Sequence, residues 1–170
     1  MYKKILTLSV VILTAAGFST SALADLSESH IAVALKSVKF IQPKPKNGEI
    51  AAFVYKEGDA TSKTLADSLA ASMDTSVLQS KVMSSQSIDL SGARLVFITD
   101  AALTDIASIA TAAQSNKVAA VAAQKSCSEA GNCVLTVETS PKVQIFLSED
   151  AASKAGISFS SAFKMLVKKH

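Results

Sequence analysis

Apolar positions along this chain follow two spacings, one near 3.6 and one near 2 or continuous, separated by polar and Gly- or Pro-containing turns. After Asp25 and Glu28, a capping-box-like pair, Ile31, Leu35, Val38 and Ile41 form a helical stripe with His30 beside it. Pro43 ends that helix, and residues 43–48 (PKPKNG) form a turn or short linker. Residues 49–56 (EIAAFVYK) are apolar on both faces and predict a central strand. Gly58 and Asp59 turn the chain into a helix over 61–73 with Leu65, Leu69 and Met73 inward. Val77, Leu78, Val82 and Met83 mark a weaker, edge-like strand, and 84–92 is serine-rich with Ile88 and Leu90 alternating. Residues 94–99 (RLVFIT) are the strongest buried strand; Asp100 is the predicted N-cap of a helix carrying Leu103, Ile106, Ile109 and Ala113.

The pattern continues with an apolar strand over 117–123 and, beyond the cysteine loop, strands over 133–138 (CVLTVE) and 143–147 (VQIFL) around Pro141. A short helix over 149–155 stops at Gly156. Ser158 or Ser160 caps a last helix with Phe163, Leu166 and Val167 inward, and Lys168-Lys169 places cations at its carboxyl end. A helix followed by strand–helix–strand–strand–helix–strand predicts an α/β sandwich: one domain, with a mostly parallel central sheet of about five to six strands flanked by helices.

The first residues change how composition is weighed. Lys3 and Lys4, the apolar run 5–18 and Ala22-Leu23-Ala24 have the three-part pattern of a cleavable signal peptide, residues 1–24. Asp25 rather than Cys follows the cut, which argues against a lipoprotein anchor, and no later segment is long and apolar enough to span a bilayer. The expected mature chain is therefore periplasmic and not membrane-inserted. Removing 24 of the 170 residues leaves 146, suited to one domain with a single core. Lys and Arg fall from 17 to 15 against 14 acidic residues, so the net charge is about +1 and nucleic acid is not an expected partner.

Cys127 and Cys133 close the seven-residue segment CSEAGNC, and in an oxidising compartment a disulfide is the default expectation. A metal site is the alternative, but only His30 and His170 could add imidazole ligands to what a closed zinc site needs. The bridge reads as a structural staple ahead of a redox sensor. Nothing in the chain predicts an enzyme. The serines lack a G-x-S-x-G elbow, and the nearest candidate base, His30, lies far away in sequence. Glu149-Asp150 and Asp100 with Asp105 read as helix-start carboxylates. The mature glycines Gly48, Gly58, Gly92, Gly131 and Gly156 are isolated, without a phosphate-binding cluster, and no cofactor is implied. A ligand crevice beyond the strand ends would fall at 55–59 and 99–102, although ordinary βα turns account for both.

Several blocks in fixed order resemble the YfiR-like family of small periplasmic proteins over most of 25–170. They are VKFIQP (38–43), IAAFVY followed by Gly58-Asp59, ARLVFIT (93–99), NCVLTVET (132–139) and AASKAGISFSSAFKML. Gln42 stands where the family usually has Trp; the glycines usual after the V-L-T-V strand and a further cysteine pair seen in some members are absent. The resemblance implies a regulator that restrains an inner-membrane diguanylate cyclase, lowering cyclic-di-GMP and biofilm formation. It also implies release by envelope or redox stress, a disulfide position at Cys127 and Cys133, and homodimerisation as in many such relatives. The alternative is a periplasmic small-molecule-binding module of a sensing or uptake system.

Overall fold

The strand-forming runs pack into one twisted layer because their apolar residues alternate between two faces and both need cover. The computed structural model describes residues 25–44, 46, 48–76 and 78–170; the predicted signal peptide and Val77 lie outside them. The chain runs α1 (Glu28–Val38), β1 (Ile41–Gln42), β2 (Ile50–Tyr55), α2 (Ala60–Ser72), β3 (Gln79–Ser84) and β4 (Ala93–Ile98). A 3₁₀ turn (Ala101–Asp105) leads into α3 (Ile106–Asn116), β5 (Ala119–Ala122), α4 (Lys125–Glu129), β6 (Leu135–Glu138) and β7 (Gln144–Leu147). Then come α5 (Glu149–Lys154), β8 (Ser158–Phe159), α6 (Ser161–Leu166) and β9 (Lys168–Lys169).

The main sheet has seven strands in the order β3-β2-β4-β5-β6-β7-β9, parallel except for the β6–β7 pair. The α/β class and mostly parallel sheet agree with the pattern, while the strand number exceeds the expected five to six. The extra strand is β9, built from Lys168 and Lys169, the residues expected to end a helix. A separate ribbon pairs β1 with β8. Ile41, assigned to the first helix by spacing, instead sits buried in that ribbon, paired with Phe159.

Strand alternation divides the core into two layers. Ala51 and Phe53 of β2, Leu95 and Phe97 of β4, and Val121 of β5 face one side, which α1, α2, α5 and α6 cover. Ala52, Val54, Val96, Ile98 and Ala120 face the other, covered by α3 with Cys127 and Cys133. Phe53 and Phe97 are register partners on adjacent strands, and their rings stack with centroids 5.0 Å apart. The crossover through α2 runs outward from β2 to β3, and the one through α3 runs the other way from β4 to β5. Crossovers of one hand therefore put α2 and α3 on opposite faces, and the strand order reverses between β2 and β4.

Helix starts differ from the pattern in instructive ways. Ser27, not Asp25, caps α1, and His30 rather than Glu28 returns the bond to the cap backbone. The buried face of α1 runs through His30, Ile31, Ala34, Ser37 and Val38, whereas Leu35 is only partly covered. Asp59 caps α2 by accepting from the Ser62 N–H at 2.9 Å, and Ser62, Ala66 and Leu69 form its inner face. Small side chains allow close approach to the sheet there, a packing role that a count of large apolar residues misses. Ser160 caps α6, whose Phe163 points inward; Leu166, expected inside, is 79% exposed beside an equally exposed Met165. The helix is too short to turn both Phe163 and Leu166 onto the same core once β9 draws the chain back to the sheet.

Candidate functional site

At the reversal between β2 and β4, an open crevice beyond the strand ends is the usual ligand position in such sheets. Here that end is laced by hydroxyl groups. The Lys56 N–H donates to Ser62 Oγ at 3.1 Å; Ser62 and Thr99 hydroxyls lie 2.8 Å apart; Thr99 Oγ1 donates to the Val54 carbonyl at 3.1 Å. Ser62 and Thr99 are buried, so each bond is shielded from competing water. The Glu57 N–H reaches Ser85 Oγ at 3.4 Å, and that hydroxyl donates to Asp105 Oδ2 at 2.6 Å. The segments 55–59 and 99–102 lie at the same end of the sheet, as the strand order requires, linked through Ser62 and through the Thr99 bonds to Val54.

Asp100 caps nothing. Its backbone N–H donates to Asp25 Oδ1 at 3.0 Å, and its Oδ2 accepts from Gln124 Nε2 at 2.7 Å. Its Oδ1 is buried with no hydrogen-bond partner among the described residues. Burial is the main cause raising the Asp100 pKa above 3.8; the Gln124 bond opposes it, and the neighbouring Asp25 carboxylate adds the smallest, upward, contribution. Asp105 likewise serves Ser85 rather than its own helix start. Thus Asp100 and Asp105 tie together separate segments, which local spacing does not reveal.

A serine–histidine pair exists, formed by Ser27 and His30 three residues apart. His30 Nδ1 faces the Ser27 hydroxyl at 2.6 Å and the Ser27 N–H at 3.1 Å. His30 is only 2% exposed, and burial is the main cause lowering its pKa below 6.5, opposed by Asp25. A nucleophile–base pair needs space for substrate at the nucleophile and a base free to take its proton. This nitrogen is instead committed to the first turn of α1.

The cysteines are the other predicted site. Their sulfurs lie 2.00 Å apart and their Cα atoms 5.2 Å apart, with Cys127 inside α4 and Cys133 ahead of β6. The Cys127 carbonyl accepts from both the Asn132 and Cys133 N–H groups, and Gly131 takes a positive φ of 71° to make the return. A Cβ on Gly131 would stand 2.9 Å from Asp150 Oδ2, the end of an exposed side chain that can swing away, so it is the positive φ that restricts this position. Ser128 and Thr136 hydroxyls, 2.8 Å apart and buried, bond α4 to β6 beside the bridge. Glu149 and Asp150 at the start of α5 pair with lysines on the surface, Glu149 with Lys164 and Lys169, Asp150 with Lys154.

No sequence signal pointed to a groove of about 660 Å³ between α1 and the end of α2. Ile31, Leu35, Val38 and Met73 give it an apolar lining; Glu28, Lys36, Lys39, Lys44 and Asp74 add charge. No salt bridge occupies these five charged groups among the described residues. The groove is lined mainly by residues of α1 and of the end of α2, which meet only in the fold, and helical periodicity within either one carries no trace of that. Among the described residues no three His, Cys, Asp or Glu side chains converge as metal ligands, and no helix is long and apolar enough to cross a membrane.

No family model and no curated protein matches this chain. Solved structures do. The ABC domain in complex with L-Trp from Streptococcus pneumonia is similar over 84% of this chain, with a TM-score of 0.58 and 10% identity. A conserved domain protein from Vibrio cholerae is similar over 82%, with a TM-score of 0.62 and 14% identity. The chain spans 59% of the length of each. At such identities the likeness establishes the shared α/β architecture.

Proposed function

We propose that this protein is a periplasmic regulatory binding protein of the YfiR-like kind, acting through a partner rather than through catalysis. In this reading it restrains an inner-membrane diguanylate cyclase and so lowers cyclic-di-GMP and biofilm formation. The observation that carries the reading is the β1–β8 ribbon. Two of the resembling blocks, VKFIQP and the closing AGISFSS segment, lie more than a hundred residues apart in sequence. In space they pair Ile41 with Phe159 and Gln42 with Ser158, and Phe40 and Phe159 both stack on Phe163. The support is that two separated resembling blocks build one local unit of this fold.

Deletion of the gene is expected to raise cyclic-di-GMP and biofilm, and an affinity-tagged periplasmic copy to retain a membrane cyclase from detergent extracts. Unchanged cyclic-di-GMP on deletion, with no cyclase retained, would overturn the proposal. Release of the protein from cells by osmotic shock tests the compartment independently.

A second reading is favoured by the apolar groove beside α1 and by the L-Trp bound in one neighbour of the same fold. It makes the protein a small-molecule-binding module of a sensing or uptake system. Titration calorimetry with L-Trp and other apolar carboxylates would show saturable heat for the native protein and a weakened response for Leu35→Asp. A flat titration removes this reading and leaves the regulator untouched.

A further inference from the structure

Asp25 and Asp100 place two carboxylates together at the reversal of strand order, and only part of that charge is met. Asp25 Oδ1 accepts from the Leu26 N–H at 2.7 Å and from the Asp100 N–H at 3.0 Å. Asp100 Oδ2 is met by Gln124, and Oδ1 is buried and without a hydrogen-bond partner among the described residues. Such an atom is costly, since a buried acceptor left unmet forfeits its hydration without return. The nearby titratable groups are the Asp25 carboxylate, Asp100 itself and His30, which the Asp25 charge reaches. None of them is a cation in neutral solution when His30 is held in its neutral form.

We infer that processing supplies the missing cation: the α-ammonium created on Asp25 by signal cleavage after Ala24 pairs with the Asp100 carboxylate and locks the new terminus over the strand ends. The inference rests on the proposed signal peptide. Covalent geometry tethers both the Asp25 nitrogen and the Asp100 carboxylate within about 5 Å of the Asp25–Asp100 hydrogen bond. Before cleavage that nitrogen is a neutral amide; afterwards it carries a positive charge and three donors. The pair of like carboxylates then gains a counter-charge where solvent is partly excluded.

The experiment compares periplasmic protein beginning at Asp25, its start verified by intact mass, with protein carrying Gly-Ser-Gly between positions 24 and 25. The insertion moves the ammonium by about 10 Å. Each is melted near neutral pH in the native and Asp100→Asn backgrounds. The insertion is expected to lower Tm by about 3 °C in the native background and to have little effect in the Asp100→Asn background. Equal losses in both backgrounds, or none in either, overturn the inference. Should Asp100→Asn not fold, the α-amino pKa of the native protein, read by NMR, decides: above the ordinary range of about 7.7–8.0 supports the pair, within or below it refutes it. A native chain that starts elsewhere than Asp25 also refutes it, while the regulatory and small-molecule readings stand on their own tests.

Discussion

The two faces of the sheet are built differently. One carries Phe53, Phe97, Phe159 and Phe163, with Leu69 and Leu95, under four helices. The other relies on Val54, Val96, Ile98, Ile109 and several alanines beneath α3, and its one buried ring among the described residues is Phe146, beside α4. On that thinner side lie both cysteines, with the short helix α4 between β5 and β6. Burial free energy scales with the apolar area removed from water, so small side chains stabilise their layer less. The covalent closure falls on the face with the smaller apolar side chains beneath α3, where a constraint on the unfolded chain adds to a modest burial term. The rings hold one face, and the staple with its neighbouring hydroxyl pair holds part of the other.

The contrast can be broken most forcefully at Phe97. Phe97→Ala removes a ring that is fully buried and stacked on Phe53, and is expected to cost about 3–5 kcal/mol in a urea melt. Ile98→Val, one residue along and on the other face, is expected to cost about 1 kcal/mol. Equal losses would erase the distinction. Next in size is the staple. Cys127→Ser with Cys133→Ser should lower stability by about 2 kcal/mol through the freedom returned to the unfolded chain, and free-thiol titration of the native oxidised protein should find none. Two reactive thiols in periplasmic material would remove the bridge from the comparison.

Ser62→Ala tests the lacing at the strand ends. It removes the acceptor of the Lys56 N–H and the partner of Thr99, with an expected loss of about 1 kcal/mol. An unchanged melt would mean the hydroxyl relay is replaced by water. The smallest effect is the pH dependence around α1. Because His30 has its folded pKa below 6.5, its contribution is complete above pH 6.5 and is lost as pH falls through the lowered value. Asp100 acts oppositely: its folded pKa lies above 3.8, so acidification from that raised value down to 3.8 relieves the fold. Melts recorded across the acid range should show a decline below pH 6.5 that His30→Asn abolishes.

Much of the architecture was legible because strands buried on both faces must be apolar throughout. RLVFIT and EIAAFVYK stand out for that reason, and they became the adjacent β4 and β2. Errors gathered where a neighbour distant in sequence decided the outcome. Ile41 fits a helical stripe, yet Phe159 draws it into a ribbon. Lys168 and Lys169 suit a helix end, yet Phe146 and Leu147 pair with them as an edge strand. Asp100 has the position of a cap, yet Gln124 and Asp25 engage it instead.

Sequence alone therefore determined the α/β class, the strand-forming runs and the cysteine pair, since each depends on residue type and local spacing. It also carried the family resemblance, whose blocks are local strings. Tertiary structure alone decided the β1–β8 ribbon, the groove between α1 and α2, the hydroxyl-linked strand ends and the unmet oxygen of Asp100. Each of these is made by groups that meet only after the sheet has formed. No one-dimensional period records which surfaces will face each other.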